Sequence, residues 1–374
     1  MSGLHAGVGV ADITPTRPVR LAGFMARQPP VPPLVVADPL QVRVLVLQDG
    51  GTTAVLVSCD LVGLSVGFGA PLRLAVAAAT GAPVQNVLTT CTHTHSGPDT
   101  LLGMDLYDDY LAELSDQAAA AATLALAELR RVSVGVADIE VPLDLAVNRR
   151  GFRHEPRLQL VDFLAGADRV ATVVGVGIHP VTHGPDVHVV TADWVGHCRT
   201  ALEQRLGGTA LVVAGALGDV NPPGGDGYDR SGGGIDLARS VGDRVAELAI
   251  AAAGRTRDVG DELTTSHRTV ELPVADGELP RLVSGGADTV VTELVEWSIG
   301  ELLLRSLPGE PLSGFAAALP RSRPTVDVGL APYWQGYLPH PDLMGGGYED
   351  ELGLGAAALR TLLAELCKSS DVTA

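Results

Sequence analysis

Lysine is almost absent from these 374 residues. Of 26 basic side chains 25 are arginines, and the one lysine, Lys368, lies within the last seven residues. Schiff-base chemistry, a carbamylated-lysine metal bridge and phosphate binding by a P-loop each require a well-placed lysine, so all three are excluded. Charge is sparse and one-sided: 19% of residues are charged, 44 acidic against 26 basic, for a net charge of −18. Phosphate backbones repel such a chain, which excludes nucleic acid as the main partner. Cysteine is scarce too. Cys59, Cys91, Cys198 and Cys367 are far apart and form no C-x-x-C pair, so a thiolate zinc cluster is excluded and reduced thiols are expected. Apolar runs such as the one ending at Cys59 are of strand length, short of the ~20 residues of a membrane span, so no membrane insertion is expected. Met1 to Val10 lack the basic start and long apolar stretch of a secretory signal. The expected location is cytoplasmic.

What is present is a 46% apolar fraction, enough for a sizeable core. Short β-branched runs alternate with longer Ala- and Leu-rich ones, an α/β signature. Strands are expected at Val42–Leu47 and Thr53–Cys59, around a turn at Asp49-Gly50-Gly51, and at Asn86–Cys91, Val170–Ile178, Ala210–Gly215 and Thr265–Leu272. Helices are expected at Pro71–Thr80, Tyr107–Arg131, Asp193–Leu206, Ile235–Ala253, Thr289–Ser306 and Asp350–Cys367. Pro222–Gly234, rich in Gly and Asp, reads as a mobile loop. No linker or repeat appears, and residues 1–374 read as one domain.

Polar residues gather where strands end, the place where α/β folds put their sites. Cys91-Thr92-His93-Thr94-His95-Ser96-Gly97-Pro98 follows a strand, and histidines at i and i+2 of extended backbone point to one side. Gly177-Ile178-His179-Pro180 follows another, with His183, His188 and Asp193 close behind. Gly218-Asp219-Val220-Asn221-Pro222, Leu307-Pro308-Gly309-Glu310-Pro311 and Gly336-Tyr337-Leu338-Pro339, with Tyr348-Glu349 downstream, complete the set. Each has an ordinary alternative: a hydrogen-bonded loop pair, a core histidine, an Asx turn, a solvated glutamate, packing aromatics. His183, His188 and His197 read as surface or supporting residues.

In this order the clusters resemble the neutral ceramidase family, zinc-dependent amidases that cleave the N-acyl bond of ceramide. The resemblance opens at Gly7-Val8-Gly9-Val10-Ala11-Asp12-Ile13-Thr14-Pro15. It runs through Asp38-Pro39-Leu40, Ser58-Cys59-Asp60, His93-Thr94-His95-Ser96-Gly97-Pro98 and Asn148-Arg149-Arg150 to Gly336-Tyr337 and Tyr348-Glu349. It implies an α/β single domain with mixed β-sheets flanked by helices, and one zinc ion held by His93, His179, Glu310 and Tyr337. It also implies that His95, Arg149 and Tyr348 line the cavity and bind the amide and its tetrahedral intermediate.

The chain departs from the family in two respects. Asn221 stands where the family's Gly-Asp-x-Ser-Pro motif has a serine; an amide orients substrate but is no nucleophile, which leaves attack by zinc-bound water. The carboxy-terminal immunoglobulin-like domain and secretion signal of larger ceramidases are not seen, which argues against ceramide as substrate. The expectation is therefore hydrolysis of a small-molecule amide, with Asp219 or His95 as general base. A zinc-dependent cyclase or acyl-transfer enzyme of a biosynthetic pathway, an esterase or lactonase, and a non-catalytic binding protein are the alternatives. Homo-oligomerisation is open. Gly63-Leu64-Ser65-Val66-Gly67 fits the nucleophile-elbow pattern, but no oxyanion glycine run precedes it. A TIM-barrel amidohydrolase would want a mid-chain lysine.

Overall fold

The β-branched stretches build two five-stranded sheets and a four-stranded one in the computed structural model, which describes residues 3–24, 27, 31–103, 106–107, 109–224, 233–345 and 347–368. In the first sheet the order is Val87–Cys91, Thr52–Cys59, Gln41–Asp49, His5–Asp12 and the short edge Arg130–Arg131. Thr52–Cys59 and Val87–Cys91 run parallel, whereas the other neighbours are antiparallel. Helix Tyr110–Ala127 lies on this sheet, and two glycines let it come close. A Cβ on Gly7 would sit 2.0 Å from the Ala125 carbonyl oxygen, and one on Gly9 1.9 Å from that of Ala121. The Gly7-Val8-Gly9 string is thus a packing device.

The second sheet is ordered Thr209–Ala214, Asp168–Val176, Arg157–Ala165, Ser133–Glu140 and Arg257–Asp258, with the first two strands parallel. Both faces are buried. Val173, Leu211 and Val213 pack on Leu45, Leu47 and Leu56 of the first sheet. The alternate residues Val174 and Val212 pack under helices Asp193–Leu206 and Gly234–Ala253. Such strands read as continuous apolar runs because neither face meets water.

The third sheet, Leu263–Pro273, Thr289–Ile299, Leu302–Ser306 and Thr325–Val328, carries helix Ala356–Lys368 on Val270, Leu272 and Leu294. Here the sequence reading needs correction. Thr289–Ser306 is a β-hairpin and not a helix. Its Glu and Leu content is helical, but Val290, Val291, Thr292 and Val295 are β-branched, and Gly300 (φ 51°) opens a two-residue turn between Ile299 and Leu302. Two helices are also shorter than expected. Tyr110–Ala127 stops before Arg130–Arg131, which leave it to pair with His5–Ala6. The closing helix starts only at Ala356, after a 3₁₀ turn at Tyr348–Asp350. Strands His5–Asp12, Ser133–Glu140 and Arg157–Ala165 were not anticipated. Most of the segment expected to be a mobile loop lies outside the described residues.

The α/β class with mixed sheets flanked by helices is what forms. Its two parallel strand pairs matter most, because His93 follows Cys91 at the end of one and His179 follows Val176 at the end of the other.

Candidate metal centre

His93 turns off its strand through a left-handed backbone, φ 74°, a conformation that non-glycine residues rarely hold. Its amide donates to Leu61 O at 2.9 Å and its ring Nδ1 meets Val62 O. The two histidines of His93-Thr94-His95 do converge, but by this turn and not by the simple alternation of an extended strand. His179 is fixed in the same manner from the other sheet. Its amide donates to Val220 O at 2.9 Å, its Nδ1 lies 2.7 Å from Leu217 O, and Trp194 Nε1 donates to its carbonyl at 3.2 Å. A carbonyl at Nδ1 requires a proton there, so both rings present a bare Nε2 to the interior.

Those Nε2 atoms each lie 3.3 Å from Oε1 of Glu310, and His95 Nε2 lies 3.4 Å from His93 Nε2. His93, His95, His179 and Glu310 are all buried. Acceptors facing acceptors repel. Glu310 Oε1 has no hydrogen-bond partner among the described residues, although it is buried. Protonating His179 would offer one remedy, but burial, followed by the charges of His93, His95 and Arg149, drives its pKa well below the usual histidine range. The arrangement calls for a cation. The two 3.3 Å separations to Glu310 match the ligand–ligand edge of a tetrahedron with bonds of about 2.0–2.1 Å to a metal such as zinc. The buried cluster His93, His95, His179 can hold a metal ion.

His95 differs from its neighbours. Its Nδ1 is buried with no partner among the described residues, so no carbonyl fixes its tautomer. Its pKa is well below the usual range, chiefly by burial and then by the charges of His93, Arg27 and Arg149. Gly23 (φ +84°) lies flat on the ring: a Cβ there would approach within 2.2 Å of it. Phe24 meets its edge at 4.9 Å, and buried Arg27 donates to the His95 carbonyl at 3.0 Å. None of these three contacts has a sequence signal, because each is made by a loop some seventy residues away.

Glu310 is presented by a two-residue parallel ladder in which it stands opposite Tyr337, its amide bonded to Gly336 O at 2.9 Å. Tyr337 is buried and hydrogen-bonded to Tyr348, the rings 5.8 Å apart and edge-on. Burial, then Glu310 and Tyr348, hold the Tyr337 phenol well above its usual pKa. Arg149 stacks over Tyr348 at 5.0 Å, pairs with buried Glu349 and donates to Gly218 O at 2.6 Å. The structure thus brings His93, His95, His179, Glu310, Tyr337, Tyr348 and Arg149 into one neighbourhood.

Asp219 is placed differently. Its carboxylate accepts from Ser313 N at 2.7 Å, Ser313 Oγ at 2.8 Å and Asn148 Nδ2 at 2.8 Å, which braces the Arg149 loop. Asn221 is buried in the ladder with Val147, next to the Val220 carbonyl that holds His179. His183 is a supporting residue: with Thr182 it meets Asp193 Oδ2, at 3.2 Å and 2.8 Å. Ser65 stands ahead of helix Val66–Thr80, its amide on Thr100 O, with no histidine as partner among the described residues. A cavity of about 520 Å³ lined by Arg157, Gly177, Val220, Ser313 and Arg321 opens behind the His179 strand and includes none of the four donors. The convergent donors, and not this cavity, mark the site.

No family model matches the chain, and no curated protein matches it. Among solved structures, it is similar to the neutral ceramidase from Pseudomonas aeruginosa, with a TM-score of 0.82 at 18% identity over 99% of this chain and 75% of that one. A ceramidase complexed with C2 gives 0.81 at 16% identity, over 99% and 76%. The chain therefore has the neutral-ceramidase fold.

Proposed function

We propose that this chain, with the fold of neutral ceramidase, is a zinc-dependent hydrolase of a small-molecule carboxylic amide. One observation carries the reading: the bare Nε2 atoms of His93 and His179 converge on an orphaned, buried Glu310 Oε1. His93, His179, Glu310 and Tyr337 would hold the ion. Zinc held there would supply Lewis acidity, polarising a carbonyl and acidifying water.

The chain's own residues do the rest. Arg149 and Tyr348 offer a guanidinium and a phenol to the amide oxygen as it gains charge, each worth roughly 3–4 kcal/mol if well aimed. Arg149 is held in place for this by Glu349 at Nη1, by Gly218 O at Nη2 and by the Tyr348 ring against its face. His95 is the proton carrier in this reading, since its tautomer alone among the three is unassigned by a carbonyl partner. Asp219 braces the Arg149 loop, and Asn221 orients substrate with its amide. The donors come from connections of all three sheets, so residues 1–374 are read as one catalytic unit.

The test is to incubate the protein with short-chain N-acyl amines and N-acyl lactams in ¹⁸O-labelled water. Hydrolysis places one labelled oxygen in the released acid. Release of amine with no label in the acyl product would mean acyl transfer and overturn the hydrolytic reading.

A further inference from the structure

Arg150, the residue after Arg149, makes a paired fork with Asp350: Nη1 to Oδ1 and Nη2 to Oδ2, both at 3.1 Å. The two side chains are 5% and 8% exposed. Arg149 meets Glu349 through a single Nη1–Oε1 contact, so two consecutive arginines pair with two consecutive acids. The acids belong to the 3₁₀ turn Tyr348–Asp350, which also carries Tyr348.

Beyond these two pairs the turn is held through Tyr348, by its hydrogen bond to Tyr337 and by Arg149 over its ring. It follows Gly345 (φ +112°) and Gly347, whose backbone is costly to order. Tyr348 is 50% exposed, so packing alone does not fix its ring. Asp350 reaches back to the glycine stretch, its Oδ2 accepting Gly345 N at 2.7 Å. On the opposite side the clasp is anchored: Asn148 Oδ1 accepts Arg150 N at 2.9 Å, and Asn148 Nδ2 donates to Asp219 at 2.8 Å. A buried, two-bond arginine–carboxylate pair fixes direction as well as distance.

We propose that Arg150 and Asp350 are positioning residues, a clasp that holds the glycine-led turn so that Tyr348 stands beside Tyr337 and under Arg149. The role given to Tyr348 rests on the hydrolase reading above; the clasp itself does not.

Two measurements test it. Asp350→Asn keeps the shape but loses the charged fork. Amide hydrogen exchange over residues 347–352 should then rise about tenfold or more, while strand Thr289–Ile299 stays as in the parent. Zinc content should not change. In a double-mutant cycle, Tyr348→Phe should cost much less turnover in the Asp350→Asn background than in the parent, because the phenol is already misplaced. Arg150→Lys keeps the charge without the fork and should show the same effects more weakly; it serves if Asp350→Asn does not fold. Unchanged exchange over 347–352 overturns the clasp. Faster exchange with strictly additive effects on turnover overturns the positioning of Tyr348. If the parent hydrolyses no amide, exchange alone still decides the clasp, and the hydrolase reading fails separately.

Discussion

His93 shows how a single residue serves two demands. Its left-handed backbone is a cost, yet it turns Nε2 towards His179 and Glu310 while Nδ1 is satisfied by Val62 O. Removing the imidazole of either His93 or His179 leaves too few donors for tight binding, so His93→Ala and His179→Ala should each purify with little zinc by elemental analysis. Full metal retention in both would place the metal elsewhere. The tyrosines separate binding from chemistry. Tyr337→Phe removes one of the two proposed oxygen donors and should lower zinc affinity in a chelator competition. Tyr348→Phe should keep the metal and lower kcat by about 100-fold, the worth of one oxyanion donor. Near-full activity with metal in place would remove Tyr348 from the reaction. At this scale the sequence was informative about residue types at strand ends, such as His93, His179 and Glu310. It was silent on Gly23 and Arg27, whose roles depend on contacts between distant loops.

Among the elements, the hairpin Thr289–Ser306 was misread because its composition favours a helix while its packing favours strands. Burial decides: Val295, Trp297 and Ile299 fill the core shared with the second sheet. On the same strand Glu293 accepts both terminal nitrogens of Arg73, at 2.9 and 3.0 Å, tying helix Val66–Thr80 to the third sheet. Burial opposes ionisation of Glu293, but the bonds and charge of Arg73, with His267, outweigh it and hold the pKa below the usual value. A depressed carboxylate contributes stability above its unfolded pKa of about 4.3 and loses it as pH falls through the folded value. Glu293→Gln should therefore destabilise the protein by about 1–3 kcal/mol near neutrality, and flatten the loss of stability below about pH 4. Denaturant melts at pH 7 and pH 3.5 check it; equal losses at both would contradict the linkage. Gly9→Ala tests the close approach of helix Tyr110–Ala127. With its Cβ placed 1.9 Å from Ala121 O, it should lower the melting temperature by more than the ~1–2 °C that a 1 kcal/mol change gives in a chain of this size.

Taken whole, the molecule assembles its site from connections that follow three separate sheets: His93 and His95 after the first, His179 after the second, Glu310 and Tyr337 around the third. That explains what the sequence could and could not convey. Strand-end polar clusters are local and legible, as are the buried runs Thr52–Cys59 and Thr209–Ala214 that lead to them. The distances that turn four clusters into one donor set arise only when the sheets pack through Leu45, Leu47, Leu56, Leu211 and Val213. Within the described residues, no helix is long and apolar enough to cross a membrane. If catalysis belongs to a zinc ion at this junction, as proposed, restoring the metal must restore activity. Protein stripped with a chelator is assayed on short-chain N-acyl amines as zinc is returned in known amounts. The account predicts negligible hydrolysis when stripped and full recovery near one equivalent per chain, with Glu310→Gln failing to recover at that ratio. Undiminished hydrolysis by the stripped protein, or full recovery in Glu310→Gln, would contradict it.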